Sequence, residues 1–175
     1  MENKQGSNFA RNFGIEKAKG EYIAFQDSDD IYHEDKLEKQ LKNLIDHQSD
    51  LDFCKVRLHL GRGIYNFPGP SRIKGFLRDG IFNQLTYGNF ISTQSILVKT
   101  NIIRQYMFDN ELPRLQDYDL LLRMTPKINV SYTNETLVEL YAQKDSIGLS
   151  RSRLKKAKEI LLKKNYDFNS TQRRH

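Results

Sequence analysis

The chain of 175 residues is long enough for one globular domain with its own core. Its 38% hydrophobic and 29% charged content, nine Tyr, ten Phe and lone cysteine, Cys54, exclude a disordered chain and an internal disulfide framework. The net charge of +6 is uneven: residues 151–164 hold seven basic groups against Glu159, whereas residues 1–150 hold 19 basic and 20 acidic groups. That distribution argues against a nucleic-acid-binding body.

QGSNFARNFGIEKAKG predicts a helix entered from a glycine turn, with Phe9, Ala10, Phe13 and Ala18 near one face and Gly20 as its stop. EYIAFQ reads as a short buried strand. After DSDD, Leu37, Leu41, Leu44 and Ile45 recur at helical spacing and predict a helix over 34–47. LDFCKVRLHL is a strand, GRG a hairpin turn and FPGP a loop. Ile73, Phe76, Ile81, Phe82 and Leu85 suggest a broken helical stretch. SILV is a strand, QDYDLLLRM a compact helix, and INVSYT and LVELYA two further strands.

The segment 151–164 is an amphipathic helix with Leu154, Ala157, Ile160 and Leu161 on one side. Two readings stay open for it: peripheral contact with anionic lipid, or a solvated face packed by its leucines. No apolar run reaches transmembrane length, and polar residues follow Met1 where a secretory signal would be apolar. The expected location is cytoplasmic, with peripheral contact at the inner membrane face if the helix binds lipid.

Asp27, Asp29 and Asp30 crowd the end of the first strand. They fit either a solvated turn or a site for a hard divalent cation, which needs only one or two protein oxygens. A calcium loop counted from Asp27 fails, because Ile31 stands where an oxygen ligand belongs and Tyr32 where the sharp turn requires glycine. In QDYD, a turn of ~100° per residue puts Asp117 on one face with Leu120, Leu121 and Met124. Asp119 points to the other side, four residues before Arg123. The helix N-terminus favours an ionised Asp117, as a general base requires. His33, His47 and His59 have no ligand spacing, and Cys54 reads as core.

NKQGSNFARNFGIEKAKGEYIAFQDSDDIYHEDKLEKQ resembles the central part of a family 2 glycosyltransferase, an inverting enzyme of GT-A fold. NFISTQSILVKT, LPRLQDYDLLLRM and LVELYAQKDSIGLS resemble its later segments. The resemblance implies a partial GT-A α/β fold, with a mixed sheet flanked by helices, over residues 1–150, followed by a basic helix and tail over 151–175. It implies a Mn²⁺ or Mg²⁺ cofactor with Asp29 as main ligand, Asp27 nearer the ribose and Asp30 in support. Asp117 becomes the catalytic base, Gln116 and Asp119 lie on the acceptor side, and Arg11 and Asn12 lie near the diphosphate. Arg11 has a second reading, as ion partner of a DSDD carboxylate.

The implied donor is a nucleotide-diphosphate sugar, a UDP-sugar. The acceptor is a hydroxyl of a saccharide or lipid-linked glycan in surface polysaccharide synthesis. Lys144 stands where the family often has a histidine. The family's apolar first strand and DGS-type segment, which hold the nucleoside, have no counterpart. The chain alone is therefore expected to be weakly active or inactive, or to act as a non-catalytic module that pairs with a separate N-terminal half.

Overall fold

The computed structural model describes residues 6–141, 150–164 and 166. Lys144, the segment after LVELY and most of the tail beyond Lys164 lie outside the described residues. In chain order the elements are α1 (Ser7–Lys17), β1 (Tyr22–Ala24), β2 (Ile31–Tyr32), α2 (Lys36–Asp46), β3 (Leu51–Leu60) and β4 (Gly63–Phe67). They continue with α3 (Pro70–Asp79), α4 (Ile81–Thr86), a short 3₁₀ turn at Thr93–Ser95, β5 (Ile96–Lys99) and α5 (Thr100–Tyr106). The last are α6 (Gln116–Met124), β6 (Val130–Tyr141) and α7 (Arg151–Lys163).

The strands form one mixed sheet in the order β1-β5-β3-β6-β2, with β4 paired to β3. β3 and β6 run parallel, and β5 is antiparallel to both β1 and β3. β1, β3 and β6 therefore share one direction, and their carboxyl ends lie at the same end of the sheet. β5 covers the first half of β3 and the β4 hairpin the second, turned at Gly61 with φ 60. The expected broken helix is α3 and α4, separated at Gly80 with φ 82, a backbone angle that favours glycine. Phe53, Phe90, Leu51, Val98, Ile103 and Leu120 belong to the main core.

The structure corrects three expectations. The two expected strands, INVSYT and LVELYA, are replaced by one continuous strand, β6 (Val130–Tyr141), whose pairing to β3 slips between Cys54 and Val56. That irregularity accommodates Asn134 and Glu135, which no apolar pattern could carry across. In α1 the buried residues are Asn8, Asn12 and Ile15, while Phe13 is 61% exposed. The two asparagines face inward because they serve backbone. Asn8 Nδ2 donates to the carbonyls of Asp109 (2.6 Å) and Leu112 (3.0 Å), and the Asn12 amide pairs both ways with Phe108.

In α2 the residues turned inward are Lys36, Gln40 and Leu44, and Leu37 and Ile45 are exposed. Asp52, fully buried in β3, decides this. Its carboxylate accepts from Gln40 (2.9 Å), Asn43 (2.6 Å), Ser131 (2.7 Å) and Thr133 (2.8 Å), and Lys36 Nζ donates to Gln40 Oε1. A buried charge is tolerable only when so satisfied. Desolvation pushes the Lys36 ammonium down to about 8 and Asp52 above the usual carboxylate range.

Candidate functional site

Asp27–Asp30 follow β1 at the carboxyl end of the parallel strands, where α/β sheets place their ligands. Arg11, from α1, reaches Asp27 with Nη2 2.9 and 3.0 Å from the two carboxylate oxygens. The guanidinium also lies 5.7 Å from the Phe108 ring centroid. Gln94, from the turn before β5, donates to Asp27 Oδ2 at 2.6 Å. β5 runs against β1, so its leading turn meets the end of β1, and this register delivers Gln94. Sequence reading passed over Gln94; its one signal was its place inside NFISTQSILVKT.

Asp30 accepts from the backbone N–H of Tyr141, at the end of β6 (3.2 Å). Asp29 is exposed, with no hydrogen bond or ion pair among the described residues. The three carboxylates thus have different fates. Asp27 is held by Arg11 and Gln94, Asp30 is tied to β6, and Asp29 is open. Among the described residues no group of three or more His, Cys, Asp or Glu side chains is arranged to hold a metal ion. What remains fits a cation held through Asp29 with phosphate and water filling its other positions, the mode usual for Mg²⁺.

Burial lifts the Asp30 carboxyl from 3.8 to about 6, opposed by the Tyr141 N–H and reinforced by the charges of Asp29 and Asp27. The folded state therefore binds this proton more tightly than the unfolded chain. The associated stability is full below about pH 4 and is lost as pH rises through about 6. Asp30→Asn is expected to raise the melting temperature at pH 7.5 and leave it unchanged at pH 4. A gain of equal size at both pH values would show that the charge is not the cause.

Asp117 opens α6. Leu115 before the helix holds a left-handed backbone (φ 62, ψ 30), uncommon for a leucine and a kind of strain that collects at functional sites. Asp117 Oδ1 accepts from the Tyr118 N–H at 2.8 Å. Desolvation raises the Asp117 carboxyl above its ordinary range, against the pull of Tyr118 N–H, the Asn89 amide and the Arg11 charge. The expected effect of the helix N-terminus, a readily ionised acid, is thus outweighed by burial. Arg11 binds Asp27, and its charge also favours the ionised form of Asp117, so the acidic loop and the start of α6 are neighbours.

Two expected site residues have partners within the protein. Asn12 has its amide engaged by Phe108 and Asn110, which ties α1 to the segment after α5. Asp119 does pair with Arg123, at 2.9 Å, as its spacing predicted. It is fully buried and also accepts from Lys164 (2.5 Å) and Tyr166 (3.0 Å). Lys164 and Tyr166, after α7, thus meet the face of α6 opposite Asp117. Gln116 is half-buried and borders a cavity of about 230 Å³ with Ser7 and Arg153.

His33 and His59 also meet unexpectedly: each contacts Glu139, at 3.2 and 2.6 Å, beside Arg57 at 2.8 Å. This clasp joins β2 to β6 across a separation of 106 residues, which no local spacing could reveal. Cys54 is buried and its thiol is pushed up to about 12, so it is core and not a nucleophile.

A mixed sheet with an acidic loop at its carboxyl end, an arginine across that loop and an acid-led helix beside it define a GT-A glycosyltransferase fold. The S. aureus TarS 1–349 structure in complex with UDP agrees, with a TM-score of 0.66 at 20% identity over 98% of this chain and 49% of that one. The profile of glycosyl transferase family 2 matches residues 1–106, and the chain belongs to that family. It is 30% identical over 155 residues to an uncharacterized glycosyltransferase of Haemophilus influenzae, covering 87% of this chain. It is 33% identical over 132 residues to the amylovoran biosynthesis glycosyltransferase AmsB of Erwinia amylovora, covering 65% of this chain. The chain spans 58% and 39% of the lengths of these two relatives.

Proposed function

We propose that this chain carries the diphosphate-side and acceptor-side machinery of an inverting glycosyltransferase. It would act on a UDP-sugar and a hydroxyl acceptor in the assembly of a cell-surface polysaccharide. The convergence of Asp27, Arg11 and Asp117 on one end of the sheet carries this reading. The TarS complex with UDP and the role printed in the name of AmsB support the choice of donor and pathway class.

Asp29 is the residue that would hold Mn²⁺ or Mg²⁺. Such a cation, when bound, supplies positive charge against the departing diphosphate. Asp27 orients Arg11, whose fixed charge adds to that stabilisation. Asp117 takes the proton of the acceptor hydroxyl as its oxygen bonds to the anomeric carbon, and the diphosphate leaves with the electron pair of the broken bond. One displacement needs one base. Because burial raises Asp117, transfer is expected to fall with decreasing pH through that raised value and not in the ordinary carboxylate range.

The direct test is UDP binding with and without Mn²⁺, measured for wild type and Asp29→Ala. Metal-dependent binding by the wild type and its loss in the variant is the expected result; identical behaviour of the two proteins would reject the assignment.

A second reading has its own observation. β1 ends the sheet, and its outer edge pairs with no strand among the described residues, although Ile23 and Phe25 are buried. An open edge beside buried apolar residues is a template for another strand. On this reading the chain is inactive alone and pairs with a separate donor-side half, detected by co-purification and by transfer only in the mixture. Strong transfer by the isolated chain would refute it.

A further inference from the structure

We propose that α7 is a docking surface for an anionic membrane, independent of the sugar-transfer reading. Arg151, Arg153, Lys155, Lys156, Lys158 and Lys163 are all exposed, and none forms an ion pair among the described residues. Glu159, the one acid of the helix, pairs with neither Lys155 nor Lys163, although both lie four residues away. Six uncommitted cations on one helix contrast with a body whose charges nearly cancel.

The helix is anchored to the body at two points. Ala157 is buried, and Lys164, directly after α7, bonds to both Asp109 (2.6 Å) and Asp119 (2.5 Å). Anchored from behind, α7 cannot turn its basic face inward.

Charge alone would also suit a nucleic acid, but apolar surface lies beside the cations. Leu162 is 86% exposed and follows Lys158 by four residues and Lys155 by seven, so it stands among them on the outer face. It borders a groove of about 350 Å³ between α6 and α7, lined by Leu115, Leu122, Leu161 and Tyr166, with Lys158 at the rim. Lysines around an apolar side chain and groove match a bilayer interface, where phosphates meet acyl chains.

The test is co-sedimentation of the full chain with phosphatidylcholine vesicles that contain or lack phosphatidylglycerol. Binding is expected only to the anionic vesicles and is expected to weaken at high salt. Loss of the attraction of two cations corresponds to about 25-fold, at about fivefold for each, so Lys155→Glu with Lys158→Glu is expected to weaken binding at least that much. Leu162→Asp is expected to weaken it further while leaving the circular dichroism unchanged. Equal binding to neutral vesicles, or none to anionic ones, would overturn the proposal. So would tighter binding to a short RNA with no effect of Leu162→Asp, which would assign the face to polyanions in general.

Discussion

Asp117→Asn is expected to slow sugar transfer by roughly 10²–10⁴-fold, the usual contribution of a positioned general base. The substitution keeps an oxygen to accept from the Tyr118 N–H, so α6 retains its first turn. It removes only the capacity to take a proton. Initial rates with a UDP-sugar donor, measured for the chain alone or completed by a donor-side half, give the effect on chemistry. Metal-dependent UDP binding should remain at the wild-type level, because the base proposed here would act on the acceptor and not on the diphosphate. A parallel loss of UDP binding and rate would instead assign Asp117 to donor binding or folding.

Asp119→Ala is expected to lower the unfolding free energy by about 3–5 kcal/mol, the cost of breaking a buried ion pair from one side. The carboxylate is fully buried and receives Arg123, Lys164 and Tyr166; without it two cations are left with part of their compensation gone. Arg123 keeps the carbonyls of Tyr106 and Met107, and Lys164 keeps Asp109, so the structure should loosen locally around α7 before it fails globally. Asp119→Asn, which preserves an acceptor, should cost less. Urea denaturation of the three proteins checks the order, and a loss below about 1 kcal/mol for Asp119→Ala would place the network in the class of weak surface pairs.

The positions of most elements were legible in the chain. Alternation and apolar runs marked β3, β5 and the hairpin, and helical spacing marked α6 and α7. The acidic loop and QDYD were visible as short motifs because each is local, and local chemistry survives in sequence. What misled was polarity. Asn8, Asn12, Lys36, Gln40 and Asp52 carry no apolar signal, yet they are buried: Lys36 is satisfied by Gln40 one turn on, and the other four by partners far along the chain. Apolar periodicity cannot report such partners, since it records only what water rejects.

By itself, then, the sequence determined most of the strands and helices, that an acidic loop ends the first strand, and that the positive charge belongs to one C-terminal helix. Only the tertiary structure decided which carboxylates are free to act. Asp27 is spent on Arg11 and Gln94, Asp119 on Lys164, Arg123 and Tyr166, and Asp29 is left open. The physical reason is that a carboxylate's role depends on its partners and its dielectric surroundings. Both are set by elements that meet in space from 16 to 67 residues apart around Asp27 alone.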